Sequence, residues 1–116
     1  MSLDDFLAQL KSADKVEFEE TMAIIDQNFH YTPAAFSNGS GSTSVHNPAG
    51  QNEGSCKIFA FGKVLHLAEE ETLYCFGRFY QDVLKTPEGN DHGNIRNFIK
   101  DGWSGIKFES EALTRK

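Results

Sequence analysis

Two groups of polar side chains carry most of the potential chemistry. The first is His46, Asn47, Gln51, Asn52, Glu53, Ser55 and Cys56; the second is Asp91, His92, Asn94, Arg96 and Asn97. Both precede apolar runs that read as helices, so both fall where free backbone N–H groups attract anions. Three chemistries fit. A thiol nucleophile would use Cys56, its pKa lowered by a helix start. His46 or His92 would be its base, with Asn47 or Asp91 orienting the imidazole. A metal site would use His46, Glu53 and His92, although the chain has no HExxH and no paired CxxC. A binding surface would use Asn47, Gln51, Asn52, Glu53, Ser55, Asp91, His92, Asn94 and Arg96.

Each has a structural alternative. Cys56 reads equally as a buried apolar residue beneath a loop. Asn38, Asn47, Gln51 and Asn52 have the donors and acceptors to satisfy irregular buried backbone. Arg96 near Asp91 or Asp101 reads as a surface ion pair. His30 and His66 stand among apolar neighbours and read as packed or rim residues. One Cys and two His at unrelated spacings is a weak signal. No catalytic or metal residue is therefore assigned, no cofactor is implied, and the binding surface is carried forward.

These groups must be positioned by the elements around them. Ser2 caps a first helix with Asp5 at its third position, Met1 and Phe6 form a hydrophobic staple, and Leu3, Phe6, Leu7 and Leu10 make its stripe. That helix stops near Ser12. Asp14, with Glu17 three residues on, opens a second helix carrying Phe18, Met22, Ile25 and Phe29, which ends before Pro33. Tyr31 to Phe36 is extended. Residues 37–54 form a long polar loop, and the composition of SNGSGSTS predicts fast motion over 37–44, with 51–55 held by the next helix. Ser55 caps that helix, which starts at Cys56. After Glu69, Glu70 and Glu71, the residues Leu73, Phe76, Gly77, Tyr80, Val83 and Leu84 repeat at helical spacing, the strongest helix in the chain. Asp91 caps a last helix with Ile95, Phe98 and Ile99; Gly102 is its left-handed terminator, and Trp103 packs back on Phe98. Ile106 and Phe108 alternate with charged residues as a short strand, with Tyr31 to Phe36 as its partner. The tail from Leu113 frays.

The fold class that results is mainly α, an α+β arrangement with five helices and a minimal two-stranded sheet, in a single domain over 1–116. The ten Phe residues suit a core of aromatic wedges. The net charge of −6, with Lys and Arg scattered, argues against nucleic acid or an anionic membrane as partner. No signal peptide and no membrane-spanning run is visible. Cys56 and Cys75 read as free buried thiols in a reducing compartment. A monomer is expected.

Three stretches, YTPAAFSNG, AGQNEGSCKIFAF and DHGNIRNFIKDGWSGIKF, resemble the HopJ type III effector family, from Leu3 to Phe108. The resemblance implies a bacterial protein of the cytoplasm, or one delivered by a secretion system into a host cell. It brings no catalytic residues with it. The expected function is a non-catalytic protein-interaction module whose partner is a host or bacterial protein, contacted through the loop and the two helix starts. The alternatives are a small hydrolase or transferase using Cys56, and an intracellular domain that binds a small ligand.

Overall fold

A computed structural model describes residues 2–12 and 15–116. The staple expected at Met1 and the cap expected at Asp14 lie outside the described residues. Six α-helices are present among them: α1 (Leu3–Lys11), α2 (Phe18–Asn28), α3 (Glu53–Leu65), α4 (Glu69–Tyr74), α5 (Arg78–Lys85) and α6 (Gly93–Asp101). The five strands are β1 (Phe29–Tyr31), β2 (Phe36–Asn38), β3 (Val45–Asn47), β4 (Lys107–Phe108) and β5 (Leu113–Arg115). The mainly helical class holds, with one more helix and more sheet than the sequence suggested.

α1 starts as expected: Ser2 Oγ accepts the Asp5 N–H at 3.1 Å. α2 is entered at Glu17, whose N–H donates to Glu20 Oε1 at 3.1 Å while its carbonyl accepts the Glu20 N–H at 3.0 Å. The stretch from residue 69 to 84 is not one helix. Gly77, at φ 59° and ψ −129°, breaks it into α4 and α5. A Cβ at Gly77 would stand 2.6 Å from Phe18 N and 3.0 Å from Val16 O. Only glycine lets the α2 entry approach this closely. In α3 two glycines are tight: a Cβ at Gly62 would meet Thr72 Oγ1 at 2.7 Å and the Trp103 ring at 2.9 Å, and one at Gly54 would meet the Phe18 ring at 2.8 Å. α6 ends at Gly102, whose φ is 64° but whose ψ of −151° leaves the left-handed helical region. Trp103 still turns back edge-on to Phe98, with ring centroids 5.0 Å apart.

The strands correct the sequence reading in two places. The expected pairing of the Tyr31–Phe36 stretch with residues 106–108 exists, and it runs further at both ends. Phe29 faces Arg115, Tyr31 faces Leu113, Phe36 faces Phe108 and Ser37 faces Lys107, one register throughout. Pro33 interrupts the ladder and divides it into a two-stranded sheet β1-β5 and a three-stranded sheet β3-β2-β4. The tail is therefore not frayed: β5 is hydrogen-bonded to β1 and Leu113 is buried. The polar stretch 37–54 is also not structureless. It holds β3, paired with β2, and a 3-10 turn at Gly41–Thr43. Three-residue strands are too short to show a period, and two of the buried positions in β2 and β3, Asn38 and Asn47, are polar.

Phe59 is the hub of the core. Its ring lies 4.9 Å from Phe98, 5.4 Å from Phe76 and 5.9 Å from Phe36. Phe61 takes the other side of α3, against Phe6 and Phe29. α3 is thus enclosed by helices and strands on most of its circumference, which is why its sequence showed little polar face. Among the described residues, no helix is long and apolar enough to cross a membrane.

Candidate binding cleft between two helix starts

α3 and α6 begin in the same way. Each is entered through a non-glycine residue in left-handed conformation, Asn52 at φ 51°, ψ 46° and His92 at φ 52°, ψ 47°. Each such residue costs on the order of 1–2 kcal/mol, and Asn and His are among the types that tolerate it best. Neither helix has a side-chain cap. The helical bonds begin with Cys56 N–H to Asn52 O at 2.9 Å and Arg96 N–H to His92 O at 3.1 Å. The backbone N–H groups of residues 53–55 and 93–95 therefore have no partner within their helices. This corrects the caps expected at Ser55 and Asp91: α3 starts at Glu53, and the side chains that looked like caps are placed otherwise.

The two starts meet across a cleft of about 470 Å³. Phe18, Val45, Phe76, Phe79 and Ile95 give it apolar walls, and Asn52, Ser55, His92 and Asn94 supply polar atoms. The break at Gly77 matters here, because it places Phe79 on the first turn of α5, facing the cleft. Phe79 meets Phe18 edge-on at 5.1 Å and the His92 ring at 5.6 Å. Arg78 covers it at 4.6 Å and reaches the Glu19 carboxylate with both guanidinium arms, at 2.8 and 3.0 Å. Those hydrogen bonds from Arg78 hold the Glu19 carboxyl below its ordinary range.

Beneath the cleft lies a relay of side-chain amides. Asn94 Oδ1 accepts from Asn38 Nδ2 at 3.0 Å and Asn47 Nδ2 at 3.1 Å. Asn47 Oδ1 accepts from Asn94 Nδ2 at 2.9 Å and Asn52 Nδ2 at 2.7 Å. Asn97 Nδ2 donates to Asn38 O at 3.1 Å and Thr43 O at 2.8 Å. Asn38 and Asn47 are fully buried. The relay ties the β2–β3 hairpin to both helix starts, so both lips of the cleft are fixed by one polar network. Asn38 and Asn47 thus satisfy backbone carbonyls, of Asn94 and Phe36, while Asn52 satisfies the Asn47 side chain.

The other sequence candidates fall elsewhere. Arg96 is occupied: Nε and Nη1 donate to Asp91 O and Thr86 O at 2.5 and 2.7 Å, and Nη2 to Thr86 Oγ1 and Asp91 Oδ1 at 3.0 and 2.7 Å. It staples the turn before α6 and depresses the Asp91 carboxyl through its hydrogen bond. Gln51 is exposed. His46 projects from β3 towards Ser37 Oγ at 3.5 Å and Glu109 at 4.0 Å. Glu53 lies by the Tyr31 phenol and Cys56, which burial pushes up in pKa, Tyr31 more strongly. No group of three His, Cys, Asp or Glu side chains with metal-site geometry occurs among the described residues, so His46, Glu53 and His92 do not converge.

Cys56 is 2 % exposed, and its Sγ–H points at Ala34 O at 3.5 Å. The groups acting on the thiol, after burial, are Ala34, Tyr31, Glu53 and Lys57, with no histidine among them. The structure does not assemble Cys56 with His46 or His92. Native Cys56 should accordingly alkylate far more slowly than the same thiol in urea, as followed by mass spectrometry. Folding also raises the pKa of both Cys56 and Cys75. The neutral thiol is the favoured form, so this contribution is complete below the ordinary thiol pKa and is lost progressively as pH rises from there through the raised folded-state value. Stability should fall above pH about 8.5, and a Cys75→Ala variant should show a shallower fall in urea titrations.

A family model described as HopJ type III effector protein matches residues 3–113. No curated protein matches the chain. A crystal structure of VPA0580, a protein of unknown function, superposes with a TM-score of 0.93 at 57% identity, covering 100% of this chain and 95% of that one.

Proposed function

Because this chain belongs to the HopJ type III effector protein family, we propose that it is a binding module, and that the cleft between α3 and α6 receives an apolar side chain and adjoining carboxylate of a partner protein. One observation carries this reading: two uncapped helix starts meet in one apolar-walled cleft. Helix starts favour negative charge, the walls favour an aromatic or branched side chain, and the volume suits one such group. The left-handed entries at Asn52 and His92 hold both starts open without a cap. The occupant is a host or bacterial protein, met by a monomer, with no covalent step. The buried, histidine-free surroundings of Cys56 support this reading over a thiol enzyme.

Ser55→Glu tests it. The new carboxylate would sit in the first turn of α3, at the cleft, where it should add about 0.5 kcal/mol of stability. It should also weaken binding of N-acetyl-phenylalanine several-fold by occupying the same charge position. Unchanged binding in a folded Ser55→Glu protein would refute the placement.

A further inference from the structure

A second surface, sharing no lining residue with the cleft, follows from the direction of the strand backbones. Gly39 N–H donates to Gly105 O at 3.0 Å, and Glu109 N–H donates to Ala35 O at 3.0 Å. Residues 35, 37 and 39 therefore turn their backbone groups towards 105, 107 and 109. By the alternation of an antiparallel ladder, the N–H and C=O of Phe108 point away from β2, to the outer edge of β4.

Other edges are blunted. On β3 the outward positions are 44, 46 and 48: Ser44 N–H is taken by Gly41 O at 3.3 Å, and Pro48 has no N–H, which leaves His46 alone. On β1 they are 29, 31 and 33: Phe29 N–H is taken by Ile25 O, and residue 33 is proline. β5 packs against α3. On β4 the outward positions are 106, 108 and 110: the Ile106 N–H is taken by Trp103 O at 3.1 Å, and the Phe108 and Ser110 N–H groups have no backbone partner among the described residues, which leaves two successive outward groups as a template for another strand.

Beside that edge lie two hollows. One, of about 260 Å³, is lined by Ala60, Val64, Phe108 and Leu113; the other, of about 390 Å³, by Leu67, Trp103 and Ile106. Ile106 and Phe108 are two residues apart, the spacing at which side chains of an added strand would reach the same face. Lys63 borders both hollows. Its ammonium lies 5.8 Å from the Phe108 ring centroid, and it makes no ion pair among the described residues. Val64 beside it is 40% exposed. Glu111 lines the first hollow alone, so Lys63 borders both hollows and the carboxylate only one.

We infer that the outer edge of β4 accepts an extended segment of a partner protein, placing two apolar side chains two positions apart in the hollows and a carboxylate by Lys63. Main-chain bonds to Phe108 supply the attachment, the hollows select alternate apolar residues, and Lys63 selects acidic over basic segments.

The test uses the full chain, labelled with ¹⁵N, and two blocked heptapeptides, one alternating valine with aspartate and one alternating valine with lysine. The aspartate peptide should slow hydrogen exchange at the Phe108 and Ser110 amides and bind several-fold more tightly than the lysine peptide. Lys63→Glu, a change at an exposed site, should reverse that order. Unchanged exchange at Phe108 with both peptides would overturn the inference, as would the same order in Lys63→Glu. Shifts at Phe108 that depend on protein concentration without peptide would assign the edge to a second copy of the chain and overturn it too.

Discussion

Gly77→Ala should destabilise the protein by about 4 kcal/mol, combining backbone strain at a glycine-only conformation with a forced close contact. The residue lies at φ 59°, ψ −129°, and the new Cβ would press on Phe18 N, Val16 O and Glu17 C. These are backbone atoms at the entry to α2, with no rotamer to yield. The sign makes the experiment informative. Were residues 69–84 a single helix, the same change would stabilise it by about 1 kcal/mol, since alanine is the better helix former. Urea unfolding at fixed m-value distinguishes the two outcomes. A stabilised variant would also remove the basis for Phe79 as a cleft wall.

Asn94→Leu should cost about 3 kcal/mol, because it removes three hydrogen bonds among buried side-chain amides, each worth about 1 kcal/mol, while keeping the number of side-chain heavy atoms. Asn38 Nδ2 would keep the Asn94 backbone oxygen at 2.8 Å but lose Oδ1, and Asn47 would lose a donor and an acceptor at once. The loss should appear locally as well. Hydrogen exchange in the β2–β3 hairpin should speed up more than in α1, which the relay does not touch. A cost below about 1 kcal/mol, within the range of ordinary surface changes, would show that the amides do not carry the hairpin.

The apolar stripes of α1 and α2 located their helices, since Phe6, Leu10 and Ile25 sit at the period that burial requires. The break at Gly77 was hidden because Leu73, Phe76, Tyr80 and Val83 keep helical spacing across it. The strand at Leu113–Arg115 was hidden because its partner is at Phe29–Tyr31, far away in sequence. A three-residue strand also has no period of its own. Of the candidate binding residues, Asn52, Ser55, His92 and Asn94 line the cleft, and Asn47 lies in the relay beneath it. The apolar wall had no separate signal, since Phe18, Phe76 and Ile95 read as ordinary core. The left-handed entries were missed because Ser55 and Asp91 are stronger caps by type. Asn52 spends its side chain on Asn47, and Asp91 spends its own on Arg96.

In the proposed binding mode, two helix starts and an apolar wall act together on one occupant. An NMR titration of the ¹⁵N-labelled protein with N-acetyl-phenylalanine, set against N-acetyl-phenylalaninamide, tests this most directly. The acid should shift the backbone amides of Gly54, Ser55, Gly93 and Asn94 together, along a single saturating curve, and the amide should shift them several-fold more weakly. Shifts confined to one helix start, equal shifts with both probes, or none at these four amides would contradict it.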